Sequence, residues 1–184
     1  RLRESGIRIP IIIANPGTKS TKKIIDNKLD VVIYNFKLLR LYGELNKEIC
    51  IHIKFNTGMN RYGFNAEETE LLAKTLLKYP KLKIQSICSH LAATDNSKKD
   101  EFTNTQFLVF DTICKVFFQQ IGYKVDRHIL NTNGVLRFVK NEYEMVRLGI
   151  GLYGVADDNH LEQISTLKSV VAQVRRITQG DQIG

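Results

Sequence analysis

No run of about 18 apolar residues occurs anywhere in the sequence, so a conventional membrane-spanning helix is not expected. The first residues, Arg1-Leu2-Arg3-Glu4-Ser5-Gly6, include neither an initiator methionine nor the apolar core of an export signal, and a cytoplasmic location is the expectation. Cysteine is scarce. Cys50, Cys88 and Cys114 lie far apart without Cys-x-x-Cys spacing, which argues against a metal site or a disulfide framework and suggests buried free thiols. Proline (3 residues) and glycine (12) are too few for a fibrous or disordered chain. The net charge of +8 comes from lysines and arginines dispersed as solvated helix faces, with no aromatic-basic motif, so nucleic acid is not an expected partner.

What is present suits a globular fold. With 43% hydrophobic and 25% charged residues, a chain of 184 residues can form one domain that buries roughly 70% of its unfolded surface. Strand-like runs recur at 10–14, 30–35, 49–56, 84–91, 127–132 and 144–149, most of them apolar at successive positions, as buried parallel strands are. Amphipathic helices are expected over 65–79 and 97–122. Asn65 with Glu68 and Ser97 with Asp100 supply start signals, and Pro80 and Gly122 supply stops.

This β-α alternation implies an α/β fold, either an open doubly wound sheet or a closed barrel. Polar residues collect where the runs end: Asn15, Asn35, Lys54 with Asn56, His90, Asn131 with Thr132, and Arg147. Barrel enzymes assemble their sites on that rim, so a partial TIM-type (β/α) barrel over 1–155 is the expectation. A complete barrel has about eight strands, more than the runs above supply. The first residues read as the last turn of a helix stopped by Gly6. After an Asp-Asp-Asn turn at 157–159, the alternation over 166–177 predicts a β segment, so 156–184 is expected to hold a linker and the first strand of a C-terminal β-domain.

Three stretches carry a family resemblance. They are Lys54-Phe55-Asn56-Thr57-Gly58-Met59-Asn60-Arg61-Tyr62-Gly63, then Ser89-His90-Leu91-Ala92, then His128-Ile129-Leu130-Asn131-Thr132 followed by Val146-Arg147-Leu148-Gly149-Ile150-Gly151-Leu152-Tyr153-Gly154. Together, in order and approximate spacing, they resemble alanine racemase, a fold type III pyridoxal-phosphate enzyme. The family's Lys-x-Asp-Thr-Gly-Met-x-Arg-x-Gly, Ser/Thr-His-Phe-Ala, His-x-x-Asn-Ser and Val-Arg-x-Gly-Ile-x-Leu-Tyr-Gly are matched in turn. Asn56 departs from the family's aspartate, and Thr132 from its usual serine.

The resemblance implies pyridoxal 5'-phosphate as cofactor and L- and D-alanine as substrates, interconverted by two-base proton transfer to supply D-alanine for the cell wall, in a homodimer. It implies that Arg147 faces the pyridine nitrogen and that His90 holds Arg147. Thr132 and the Gly149 and Ile150 amides would meet the phosphate, and Asn131 would be a neighbouring contact. Arg61 would meet the cofactor's phenolic oxygen and the substrate carboxylate. Lys54 matches a lysine often carbamylated in the family, a change that would make it an acceptor for Arg61.

No catalytic group is expected within this chain. The family's cofactor-binding lysine lies in a Val-x-Lys-Ala-Asn-x-Tyr-Gly-His-Gly setting that no lysine here has, and its opposing tyrosine comes from a segment beyond Gly184 of a partner subunit. The chain alone is therefore expected to be inactive, and its parent could be fused to a cell-wall peptide ligase. The alternatives are another pyridoxal-phosphate barrel protein of this fold type and a non-catalytic barrel module.

Overall fold

The structure is a computed structural model, and it describes residues 1–156, 158 and 160–182. Five parallel strands form one sheet: β1 (Ile12–Ile13), β2 (Asp30–Ile33), β3 (Ile49–Lys54), β4 (Leu82–Cys88) and β5 (Asp126–His128). Helices α1 (Thr21–Asp26), α2 (Phe36–Glu44), α3 (Thr69–Leu76) and α4 (Asp100–Ile121) connect them, and α5 (Thr132–Arg137) follows β5. The strands lie in chain order, β1-β2-β3-β4-β5, all parallel. A doubly wound sheet reverses its order at a switch point; a sheet that never reverses is wound as a barrel wall is.

The outer layer of this wall is apolar. Val31, Ile33, Ile51, Ile53 and Phe55 are fully buried against Leu39 and Tyr42 of α2, Leu72 of α3, and Phe110 and Phe117 of α4. Helix α4 buries Phe107, Phe110, Ile113, Cys114 and Phe117 at helical spacing, and each large side chain contributes roughly 1.5–3 kcal/mol of burial free energy. It stops at Gly122, whose φ of +82° is the left-handed cap that its missing Cβ allows.

The other strand face is polar. Between Ile51 and His52 the β4 partner jumps from Ile84 to Ser86, so β4 carries one extra residue there. The bulge changes which β4 side chains face inward. As a result Ile84 packs with the apolar core, whereas Ser86 meets His52 on the inner face.

Several expectations change. The run over 144–149 is not a strand; it lies extended beside β5, tied by Met145 N–H to the Arg127 carbonyl (3.2 Å) and Arg147 N–H to the Leu130 carbonyl (3.0 Å). Too few hydrogen bonds repeat to make a ladder. Thr132 ends no strand but opens α5, because the Asn131 side chain accepts from Gly134 N–H (2.9 Å) and caps that helix. Ser97 does not cap α4. Asn96 takes the preceding 3-10 turn by accepting from Lys98 N–H (3.0 Å), and Asp100 pairs with Arg137 (2.8 Å).

The N-terminal residues do form a single helix-like turn, Ser5 N–H on the Arg1 carbonyl (2.8 Å), stopped as expected at Gly6 (φ +86°) with Ile7 N–H on the Leu2 carbonyl (3.1 Å). Cys88 and Cys114 are buried, but Cys50 is partly exposed, since it borders a cleft at the N-terminal ends of the strands. No strand forms over 166–177. Leu167, Val170, Val171 and Val174 stand 76–98% exposed, and no other described segment pairs with them. The expected turn at 157–159 falls partly outside the described residues.

Candidate functional site

The loop after β3 is built to return on itself. Asn56 N–H donates to the Phe64 carbonyl (2.8 Å), and Phe64 N–H donates to the Lys54 carbonyl (2.9 Å). Gly63 makes this possible, because at φ +131° a Cβ would stand 2.5 Å from the Asn56 nitrogen and the Phe55 carbonyl carbon. Asn56 braces the loop interior: its oxygen accepts from Gly58 N–H (3.2 Å) and Asn60 N–H (2.9 Å). Arg61 and Tyr62 are thereby carried at the rim, with Tyr62 against Tyr34 at 4.7 Å between ring centroids.

Beneath the rim, fully buried Gln106 of α4 joins two loops. Its amide nitrogen donates to Thr57 Oγ1 (3.1 Å) and to the His90 carbonyl (3.1 Å), and its oxygen accepts from Ala92 N–H (3.0 Å). Ser89 shares a hydrogen bond with Thr57 (2.8 Å) and donates to the Phe55 carbonyl (2.8 Å). The Arg61 loop and the His90 loop are thus fixed to one another by satisfied buried polar groups.

Above this base, Lys54, Arg61, His90, His128 and Arg147 line one cleft of about 370 Å³, together with the apolar Ile12, Ala14, Val32 and Val146. Its size and mixed lining are those of a small-ligand site. Arg147 is deeply held. It donates to the carbonyls of His128 (3.0 Å) and Ile129 (3.3 Å), to His90 Nδ1 (3.2 Å), and to His128 Nδ1. An arginine can only donate, so both imidazole nitrogens facing it are unprotonated.

The electrostatics agree with that geometry. Burial, reinforced by Arg147, Lys54 and Arg61, pushes His90 down to about 4, and burial with Arg147 and His52 pushes His128 down to about 3. Burial also lowers Lys54, with Arg61 and Arg147 adding to the effect and Cys88 opposing it. The cleft therefore holds cationic groups beside neutral imidazoles.

Asn131, Thr132, Gly149 and Ile150 do not line the cleft but form the adjoining turn. Thr132 Oγ1 accepts from Gly149 N–H (3.2 Å) and Gly151 N–H (3.1 Å), and a Cβ on Gly151 would meet the Thr132 methyl at 2.6 Å. A Cβ on Gly149 would meet nothing within 4 Å, so that side of the turn is open. The Gly149 amide is thus taken up by Thr132, so the Thr132 O–H and the Ile150 amide are the donors left at this open turn for phosphate oxygens. Asn131 is engaged elsewhere, since its oxygen also accepts from Thr94 (2.8 Å). His52 and Ser86, passed over in the sequence reading, bond each other at 2.6 Å behind the cleft. The signal for His52 was a polar residue amid the apolar Ile49–Lys54 run.

Among the described residues no group of His, Cys, Asp and Glu side chains forms a metal site, and no helix is long and apolar enough to cross a membrane.

Fold and rim define the chain as a barrel-wound α/β protein whose strand ends gather cations and hydrogen-bond donors around one cleft. The profile of the alanine racemase N-terminal domain matches residues 1–157, and the chain belongs to that family. It is 29% identical over 178 residues to alanine racemase 1 of Oceanobacillus iheyensis, covering 94% of this chain and 47% of that protein. It is 30% identical over 193 residues to alanine racemase of Carboxydothermus hydrogenoformans, covering 98% and 52%. The crystal structure of alanine racemase from Corynebacterium glutamicum superposes with a TM-score of 0.76 at 24% identity, covering 90% of this chain and 47% of that one. The chain spans about half the length of the relatives it matches.

Proposed function

We propose that this chain is the cofactor-holding part of a pyridoxal-phosphate enzyme that interconverts L- and D-alanine. The observation that carries the reading is the convergence of Lys54, Arg61, His90 and Arg147 on one rim cleft beside the Thr132–Gly149 turn. This donor set fits the group: a permanently charged donor for a ring nitrogen, a cation for a phenolic oxygen, and hydroxyl and amide groups for a phosphate. When bound, pyridoxal phosphate supplies electron withdrawal from the α-carbon of an attached amino acid.

The chain's own residues set how that chemistry runs. Arg147, which can only donate, would meet the pyridine nitrogen and would leave it unprotonated, which would restrain electron withdrawal and favour simple proton exchange over transamination. His90 orients Arg147 without competing for its charge. Arg61 binds the phenolic oxygen and the substrate carboxylate. Thr132 and Ile150 would bind the phosphate, and Gly149 would join them once its amide is released from Thr132, with Asn131 supporting their turn. Lys54, lowered by burial, is more readily freed as the neutral amine that takes up carbon dioxide with loss of a proton, and its carbamate would orient Arg61 in place of two cations repelling one another. The two proton-moving groups belong to segments outside this sequence, so the activity requires the full-length protein and a homodimeric partner. Residues 156–184 we assign to the linker and opening strand of the second domain, where the exposed alternation over 166–177 finds its neighbours. D-alanine for the cell wall and a cytoplasmic location follow from this reading.

The test is D-alanine formation from L-alanine by the full-length protein, with the visible absorbance of bound cofactor followed in parallel. Turnover with cofactor bound, both lost in Arg147→Ala, supports the reading. Absence of both from the unaltered protein overturns it.

A further inference from the structure

Behind the cleft, a line of buried polar groups crosses the inner face of the sheet from strand to strand. Arg147 meets His128 Nδ1, His128 Nε2 lies 2.9 Å from Ser86 Oγ, and Ser86 Oγ lies 2.6 Å from His52 Nδ1. His52 Nε2 has no hydrogen-bond partner and stands 3.6 Å from Asp30 Oδ2. His52 and His128 are 4% exposed and Ser86 is fully buried, so the line is shielded from bulk solvent. Asp30 is partly exposed and borders a second cleft with Arg3, Arg8 and Lys28, at the opposite ends of the strands from the rim.

The line has only one consistent order of protons. Arg147 can only donate, so His128 Nδ1 is bare and its proton is on Nε2. That N–H donates to Ser86 Oγ. The serine's single hydrogen is then free for His52 Nδ1, which is bare in turn, and the His52 proton on Nε2 points toward the Asp30 carboxylate. A proton added to His52 Nδ1 would leave the Ser86 hydrogen unpartnered. The β4 bulge is what turns Ser86 into this line.

We propose that His52, Ser86 and Asp30 are positioning residues for Arg147: they fix His128 in the tautomer that offers the guanidinium a bare nitrogen. What Arg147 then faces rests on the reading above, but the proton order does not. Four strands or strand-end segments thereby cooperate in aiming one side chain.

The experiment is nitrogen-15 spectroscopy of the histidines and of Arg147 in the full-length protein at neutral pH, with and without added pyridoxal phosphate. Both His128 and His52 are expected as the Nε2–H tautomer. In His52→Phe the Ser86 hydroxyl loses its acceptor and competes for His128 Nε2, so the Nδ1–H tautomer of His128 is expected to gain population as Arg147 is pushed from it, with a shift of the Arg147 guanidinium resonances. His52→Asn offers an amide oxygen near the former Nδ1 and is expected to restore the original signals. A purely packing role predicts the reverse ranking, because phenylalanine fills the space and asparagine does not.

A His128 protonated at Nδ1 in the unaltered protein overturns the proposal, even where His52→Phe fails to fold. So does a His52→Phe spectrum unchanged at His128. Tautomers as expected without cofactor binding would keep this inference and discard the proposed function; binding with the wrong tautomer would do the opposite.

Discussion

Asn56 donates its side-chain amide to Asn65 Oδ1 at 3.1 Å, tying the end of β3 to the start of the turn that leads into α3. The same nitrogen donates to Asn60 Oδ1 at 2.8 Å. A carboxylate at this position could keep the two bonds accepted from Gly58 and Asn60 N–H, but it would face two amide oxygens with no hydrogen to offer. The departure from the family's aspartate is therefore matched by its neighbours. Asn56→Asp is expected to lower stability by about 1–2 kcal/mol, read as a shift in the urea midpoint at unchanged slope.

Gln106 serves three partners from a fully buried position. Gln106→Leu keeps approximate volume but strands Thr57, the His90 carbonyl and Ala92 N–H. A loss of about 2–4 kcal/mol is expected in chemical denaturation, and cofactor affinity should weaken in the full-length protein because the Arg61 and His90 loops lose their common tie.

Gly63→Ala combines a left-handed backbone with a Cβ 2.5 Å from main-chain atoms that cannot give way. A cost above about 3 kcal/mol follows, and little soluble protein should be recovered. Gly149→Ala, where a Cβ meets nothing within 4 Å, should fold normally and serves as the matched control.

Acid should destabilise the chain through its histidines. His90 and His128 stay neutral when folded, with values of about 4 and about 3 against an ordinary value near 6.5. Their unfolded forms bind protons first, so stability is complete above about pH 6.5 and falls as pH drops toward the folded values. By pH 5 the loss is on the order of 2 kcal/mol for each. Urea midpoints at pH 7.5 and 5 check this, and His128→Asn should flatten the slope between them.

Much of this was legible in the sequence because β2 and β3 read as largely apolar, buried runs, and because Gly122 and Pro80 punctuate the helices. The cluster of polar residues at strand ends was also legible, but it mixed two kinds. Asn35 and Asn131 cap helices, Asn56 closes a loop, and Asn15 accepts from Tyr34. Lys54, His90 and Arg147 face the cleft. Residue type alone does not separate a cap from a ligand contact, since both want a short polar side chain where a strand ends. The run over 144–149 looked like a strand because Met145 and Val146 are apolar, yet a strand is defined by its ladder, which no local pattern reveals. The line from Asp30 to Arg147 depends on a bulge and on five separate segments meeting, which lies beyond any sequence window.

The unreversed strand order has a consequence for how the chain comes to be folded. Each strand after β1 pairs with the strand synthesised just before it, so every pairing in the described sheet joins neighbours in sequence. Such pairing keeps each loop that must close to a single β-α unit, shorter than a reordered sheet would need. On the ribosome the wall can grow one β-α unit at a time, in the order of translation, with Arg147 reaching its acceptors only after every strand behind it is in place.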